Sequence, residues 1–365
     1  TGYKKIEEAI LMAAEYFREN KPIPADPESL GLSQRFKRLD AAEKVNGTGL
    51  YTDDLTFPDM LYAKAVRSKY PRALVRKIDV SKAVAHPDCV RVLTAKDVPF
   101  NKHGHIFTDW DVMIAEGDIT RYVGDAVALV AVTRKEVLDE VVNLVEVDFE
   151  ELPAVTTIEA ALGPDAPKLH ENGNIMSRAE LKRGNADEAI KNAKYVVTQK
   201  YSTPLQDHAF MEPECAVAVP EGDDALTVYT GSQSIYDDQR EIAAMLKLPA
   251  EKVHVHSQLV GGGFGGKEDM SVQHHAALMA WVTKKPVKVK FSRQESLDYH
   301  PKRHPMELEI TTACDENGIL TALKGKVYTD TGAYASLGAP VLHRTCTHAA
   351  GPYHFHNVDI EGTAG

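Results

Sequence analysis

The stretch Val260-Gly261-Gly262-Gly263-Phe264-Gly265-Gly266-Lys267-Glu268-Asp269 decides how this chain is read. Between positions 261 and 266 every residue is glycine except Phe264. Glycine loses more backbone entropy on folding than any other residue, so such a run suits neither a helix interior nor a strand. It suits a loop whose backbone amides approach a ligand, often an anionic one, that side chains would hold off.

The flanks place that loop. Apolar alternation predicts strands over 253–256 and 287–291, and helical spacing covers 271–284, stopped by Pro286. Strand, loop, helix and strand make a βαβ-like unit with the glycines at the strand-to-helix junction. Upstream, a helix is expected over 235–246 and strands over 216–219 and 225–229. The region 38–159 mixes short strands (61–67, 90–94, 126–132) with a helix near 135–145, an α+β pattern. Residues 3–19 have helical apolar spacing, and prolines 22, 24 and 27 mark a linker after them.

Two nucleotide-binding motifs compete for the loop. Gly261-x-Gly263-x-x-Gly266 satisfies the dinucleotide fingerprint, with Glu295 near the end of the next strand as the ribose carboxylate. Gly261 to Lys267 satisfies most of a P-loop, but Glu268 stands where a Ser or Thr hydroxyl should meet magnesium, and a carboxylate there repels phosphate.

Bulk properties narrow the field. A chain of 365 residues has room for two or three domains. Its formal net charge of −11 argues against nucleic acid or an anionic membrane as partner. No apolar run reaches the roughly 18 residues of a membrane span. The four cysteines, Cys89, Cys215, Cys314 and Cys346, are widely spaced and form no CxxC pair, which fits a reducing cytoplasm better than a disulfide framework or structural zinc. His274 and His275, adjacent on a helix, face different directions and make no ligand pair. The remaining C-terminal histidines, including His300 and His304, lack metal-ligand spacing and read as scattered surface or capping residues.

The longer string resembles the molybdenum hydroxylases, the xanthine dehydrogenase and aldehyde oxidase family, whose Gly-Gly-Gly-Phe-Gly-Gly-Lys-Glu loop lies against a molybdopterin centre. Gly231-Ser232-Gln233-Ser234, Met211-Glu212-Pro213-Glu214-Cys215, Gly47-Thr48-Gly49-Leu50-Tyr51-Thr52-Asp53-Asp54 and Phe149-Glu150-Glu151-Leu152-Pro153-Ala154 are similar to further family motifs, in the family's order. The resemblance implies an α+β chain: an α/β-hammerhead domain over 38–165, then the N-terminal part of a molybdopterin-binding domain over 166–365. Residues 1–20 resemble the helical end of the family's [2Fe-2S] domain, with 21–37 as linker, and the family's later Gly-Ala-x-Arg-Gly segment does not arrive. The chain is thus expected to be a piece of an enzyme, inactive alone.

By the same resemblance, Gln233, Gly263, Phe264, Gly265 and Gly266 contact the molybdopterin cofactor. Gln233 donates to an oxygen on the metal, amides of the loop line those oxygens, and no side chain ligates the metal. Glu268 and Arg344, nine residues before Tyr353, match the pair with which purine-oxidising members bind and orient substrate. Lys267 is expected in a structural ion pair. The implied reaction is hydroxylation of an electron-poor carbon in a purine or xanthine-like heterocycle, with water as oxygen source and electrons leaving through [2Fe-2S] clusters. Another N-heterocycle or an aldehyde is the alternative within the family. Implied partners are the rest of the molybdenum domain, a flavin or other redox subunit, and a second copy in a homo-oligomer.

Overall fold

The computed structural model describes residues 3–22 and 38–365 and divides into two units, Thr1–Gly49 and Leu50–Gly365. In the first, the apolar spacing gives the helix Tyr3–Arg18, with Ile6, Ile10 and Phe17 exposed along it. A short helix, Ala41–Asn46, ends on Gly47 in the left-handed conformation. From residue 23 on, the linker expected at 21–37 lies outside the described residues.

The second unit is built on a seven-stranded mixed sheet drawn from two distant parts of the chain. Its order is Val253–Ser257, Ala225–Thr230, Cys215–Glu221, Val287–Lys290, Leu61–Arg67, Ala126–Val132 and Cys89–Thr94. The seam between the two parts is the parallel pairing of Leu61–Arg67 with Val287–Lys290. All seven residues of Ala-Val-Ala-Leu-Val-Ala-Val, Ala126–Val132, are buried. A continuous apolar run of this kind belongs in a strand covered on both faces. Ala128, Val130 and Val132 pack near Val141 and Val145, while Leu129 and Ala131 join the main core.

That main core is organised by the helix Gln273–Thr283, which lies against the strands Cys215–Glu221, Ala225–Thr230, Val287–Lys290 and Leu61–Arg67. Every residue from Gln273 to Ala280 is buried, so the helix is enclosed rather than amphipathic. The expected βαβ unit is real in direction but not in adjacency. Val253–Ser257 and Val287–Lys290 run parallel in one sheet, with the antiparallel pair Ala225–Thr230 and Cys215–Glu221 between them.

A second, five-stranded sheet has the order Tyr195–Thr203, Met306–Cys314, Leu320–Thr329, Asn357–Ala364 and Ser177–Arg183. The helix Gly338–His348 packs on it through Leu342 and Cys346. Gly362 makes room for that contact: a β-carbon there would lie 2.6 Å from the Cys346 sulfur. The expected α+β class holds. The helix expected near 135–145 is shorter, a single tight turn at Lys135–Val137 followed by Leu138–Val142.

Because one core joins both halves of the sheet, Leu50–Gly365 is expected to unfold cooperatively. Leu278 is fully buried in that core. Leu278→Ala should lower stability by about 2–5 kcal/mol, the usual loss for a buried Leu truncated to Ala. Denaturant titration followed by hydrogen exchange checks this. Separate transitions for the two halves of the sheet would contradict the shared core.

Candidate functional site

Four segments meet around the glycine loop. The loop leaves the strand Val253–Ser257 and turns through Gly262, Phe264 and Gly265, with φ of 102°, 53° and 89°. Phe264 thus occupies a left-handed position unusual for a residue with a side chain, and it is 75% exposed.

The glycines are set by what presses on them. A β-carbon on Gly261 would lie 2.5 Å from the Glu212 β-carbon, one on Gly263 2.3 Å from Gln233 Oε1, and one on Gly266 2.7 Å from His208 Nδ1. Three glycines of the loop therefore admit three side chains of this chain. Only Gly265 opens onto free space. The expectation that the whole run clears room for a metal's oxygens is corrected to that extent.

A buried ion pair fixes the loop. Lys267 Nζ lies 2.8 Å from Glu212 Oε2, with side-chain exposures of 4% and 13%. The same Glu212 oxygen accepts the Gly261 amide at 2.7 Å, and Lys267 Nζ sits 4.6 Å from the centre of the Phe210 ring. The ion pair expected for Lys267 is present, and its partner is the glutamate of the Met211-Glu212-Pro213 segment.

Gln233 is locked by the loop. Its Oε1 accepts the amides of Gly265 at 3.0 Å and Lys267 at 3.2 Å, and its own backbone amide donates to the Lys267 carbonyl. With the oxygen so engaged, the side-chain NH2 must be the outward group, and it meets no protein acceptor among the described residues. Two of the amides expected to face a cofactor are used internally: Gly265 donates to Gln233 and Gly266 to the Gly263 carbonyl. The amides of Gly262, Gly263 and Phe264 donate to nothing among the described residues. Successive unpaired amides in a turn with positive φ, beside a locked NH2 donor, form a concavity of donors suited to an oxygen-rich or anionic group. The residues present therefore fit a molybdopterin cofactor.

Glu268, half-buried just past the loop, has no hydrogen bond or ion pair among the described residues. Its neighbour Asp269 is buried and accepts the Ser336 hydroxyl at 2.5 Å, which ties the loop to the chain entering the helix Gly338–His348. Arg344 lies on that helix, off the Leu342–Cys346 stripe, exposed and likewise without a charged partner among the described residues.

Beneath Gln233, the helix Ile235–Leu246 carries Asp238, 1% exposed. Neither of its oxygens meets a partner at hydrogen-bonding geometry. Burial pushes its carboxyl up to about 8, although nearby Ser232 and Gln273 temper the shift.

The histidine expectations need correction. His274 and His275 are both fully enclosed, with ring centres 4.0 Å apart, and His274 stacks on His103 at 4.4 Å. Although adjacent helical positions start out in different directions, the two rings meet, and both faces of this helix are covered. Burial drives both imidazoles to the neutral form. His300 is also buried rather than superficial. No group of metal-holding side chains occurs among the described residues.

The dinucleotide reading fails on local geometry. The helix after the loop begins only at Gln273, and the Gln273 Oε1 accepts the amides of Ser271 and Val272. The residues Lys267 to Val272 separate the last glycine from the helix, so the run does not open it as the fingerprint requires. Glu295 completes a capping box with Ser292 and pairs with Lys64.

Comparison with known proteins agrees with this geometry. Residues 46–153 match the aldehyde oxidase and xanthine dehydrogenase a/b hammerhead domain, and residues 169–365 match the molybdopterin cofactor-binding domain. The chain belongs to the molybdenum hydroxylase family. The chain is 41% identical, over 89% of its length, to a probable xanthine dehydrogenase subunit of Bacillus subtilis, 44% of which it covers. It is 39% identical to the nicotinate dehydrogenase large molybdopterin subunit of Eubacterium barkeri, over 89% of this chain and 76% of that one. Its fold superposes on the aldehyde oxidoreductase of Desulfovibrio gigas with a TM-score of 0.95 at 25% identity, covering 100% of this chain and 42% of that one. The chain thus spans less than half of the Bacillus relative and of that structure. No helix among its described residues is long and apolar enough to cross a membrane.

Two measurements test the site's construction. Lys267→Met leaves Glu212 buried without its counter-charge and should destabilise the protein by about 3–5 kcal/mol; adding Glu212→Gln should recover much of that loss. A double-mutant cycle in urea reads the coupling, and additive losses would contradict the pairing. Asp238 is raised from 3.8 to about 8 in the folded state, so folding binds its proton more tightly than the unfolded chain does. Its contribution is complete below pH 3.8 and fades as pH rises through 8. Asp238→Asn should therefore raise the melting temperature more at pH 8 than at pH 5. A gain that does not depend on pH would refute the buried-acid assignment.

Proposed function

We propose that this chain forms the hammerhead and one wall of the molybdenum site in a hydroxylase that oxidises a purine or related N-heterocycle. The observation that carries the reading is the locked donor set of Gln233 and the 262–264 amides, with the unpartnered Glu268 carboxylate just beyond the loop. Residues 38–165 act as the hammerhead and 166–365 as the first part of the cofactor domain. Residues 1–20 end an iron–sulfur domain, and 21–37 link the two.

The bound molybdopterin supplies the redox chemistry, inserting an oxygen from water and taking up two electrons. The protein's part is binding and orientation. Gln233 holds its NH2 toward the cofactor's oxygens, and the free amides of Gly263 and Phe264 add preorganised donors. Glu268 accepts hydrogen bonds from ring N–H groups, and Arg344 faces a ring carbonyl, where a guanidinium stabilises developing negative charge. A nicotinate-like ring presents the same combination of nitrogen and oxygen groups, and the similarity to the nicotinate dehydrogenase subunit favours it as the second substrate class. Electrons leave through [2Fe-2S] clusters to a flavin or other redox subunit, in a cytoplasmic homo-oligomer.

In the complete enzyme, Glu268→Val with Arg344→Met should lower kcat/KM for N-heterocycles by about 100- to 1000-fold and favour aldehydes, since each change removes an oriented polar contact. Steady-state kinetics on both substrate classes decide it, and undiminished heterocycle turnover would remove both residues from the site. Gly263→Ala should push Gln233 aside and lower the molybdenum content of the purified protein. Full metal content in that variant would count against the donor set.

A further inference from the structure

Away from the glycine loop, the hammerhead carries a cavity whose charge is opposite to that of the chain as a whole. Its volume is about 440 Å3, and its charged lining is Arg72, Lys102, Arg121 and Lys168 against Asp111 and Asp118. The wall is thus net positive in a chain whose formal net charge is −11. A concave site lined by one sign of charge concentrates counter-ions, whatever the sign of the distant surface.

The cations are gathered rather than scattered. Lys102 Nζ lies 2.8 Å from Asp111 Oδ1, and Arg121 Nη1 lies 2.8 Å from Asp111 Oδ2. One carboxylate therefore draws two cationic heads together and can neutralise only one of them. Arg121 Nε also donates to the Leu169 carbonyl at 2.9 Å, which fixes the segment bearing Lys168 beside the same head. Lys168 is exposed and has no partner among the described residues. Arg72 reaches only the Pro153 carbonyl, at 3.4 Å, and likewise meets no carboxylate among the described residues. Of the acids, Asp118 is exposed, so water screens its charge. The neighbouring Glu116 accepts the Ile78 amide and pairs with Lys96.

The wall also sets the ligand's class. Guanidinium forks and ammonium groups with N–H bonds to spare match closely spaced anionic oxygens. The uncharged lining is Gly117, Ile119 and Leu169, which offers a flat ring no aromatic surface to stack on.

We propose that this cavity binds a small polyanion, a polyphosphate or a polycarboxylate, as a clip between the hammerhead and the cofactor-binding domain. Arg72, Lys102 and Arg121 lie within the hammerhead match, whereas Leu169 opens the cofactor-domain match and Lys168 directly precedes it. An anion held from both sides adds a charged bridge beside the Arg121–Leu169 bond. The clip does not depend on which substrate the enzyme oxidises.

The test uses the complete enzyme in phosphate-free buffer, with pyrophosphate, citrate and benzoate as probes and KCl at matched ionic strength as control. Calorimetric titration should show saturable binding of pyrophosphate or citrate, about tenfold or more tighter than benzoate, which pairs with fewer of the cations. The tighter of the two polyanions tells a phosphate source from a carboxylate one. Hydrogen exchange should slow over residues 117–121 and 166–170 when the polyanion is bound and not when KCl replaces it. Lys168→Glu, at an exposed position, should weaken binding about tenfold by turning an attraction into a repulsion. Arg72→Gln should weaken it too, and Arg72→Lys should retain it.

Affinity unchanged by Lys168→Glu, benzoate bound as tightly as either polyanion, or slowed exchange confined to other segments would overturn the proposal. An enzyme that turns over no N-heterocycle yet binds a polyanion here sinks the hydroxylase reading alone. One that turns over such a ring and binds neither polyanion sinks the clip alone.

Discussion

The ion pair between Glu212 and Lys267 is the constraint on which the rest of the site depends. One carboxylate oxygen serves both the Lys267 ammonium and the Gly261 amide, so a single side chain grips both ends of the glycine run. Between those ends the loop has few low-energy paths. Glycine supplies the freedom to follow one that places Phe264 at a left-handed φ and brings Gly263 onto Gln233. Breaking a buried pair leaves an uncompensated charge and loses far more than a surface pair would. Local backbone strain can therefore be held at this loop while the sheet beneath it stays regular.

Order in the loop then passes to the side chains that approach a ligand. Gln233 would be free to rotate and to exchange its oxygen and nitrogen if the Gly265 and Lys267 amides did not both donate to its oxygen. Backbone amides thus choose which end of an ambivalent side chain faces outward. That choice is what distinguishes a preorganised donor from a merely nearby polar residue.

Much of this was legible in the sequence, and the boundary of legibility is physical. Local periodicity placed the strands Leu61–Arg67 and Ala126–Val132 and the helix Ile235–Leu246 at the bounds the structure has. These elements are specified by the alternation, continuous run or helical repeat of their own apolar residues. The motif at 260–269, with Gln233 upstream, carried the family. Partners distant in sequence were not legible. Lys267 needed an acid, but nothing local singles out Glu212, 55 residues away, and His208 meets His300 across 92 residues. The burial of His274 and His275 was not legible, because helical spacing says which way a residue points, not whether both directions are covered. Asp238 carries no sequence signal of its burial, and only the fold reveals that this first turn of its helix is enclosed.

The charge balance explains why a glycine-rich, lysine-bearing loop need not bind a nucleotide. Lys267 is neutralised by Glu212, and the following residues are Glu268 and buried Asp269, so the loop offers no free cation of its own. Its attraction for oxygen comes from amide dipoles and the Gln233 NH2, which act at hydrogen-bonding range and add no net charge. A polyphosphate needs counter-charge as well as donors, and the carboxylate at position 268 opposes it. A group that presents oxygens to the donors without a polyphosphate's charge suffers no such penalty. The same glycine run that resembles a phosphate cradle in its backbone is thus turned, by the fate of one lysine, away from a polyphosphate.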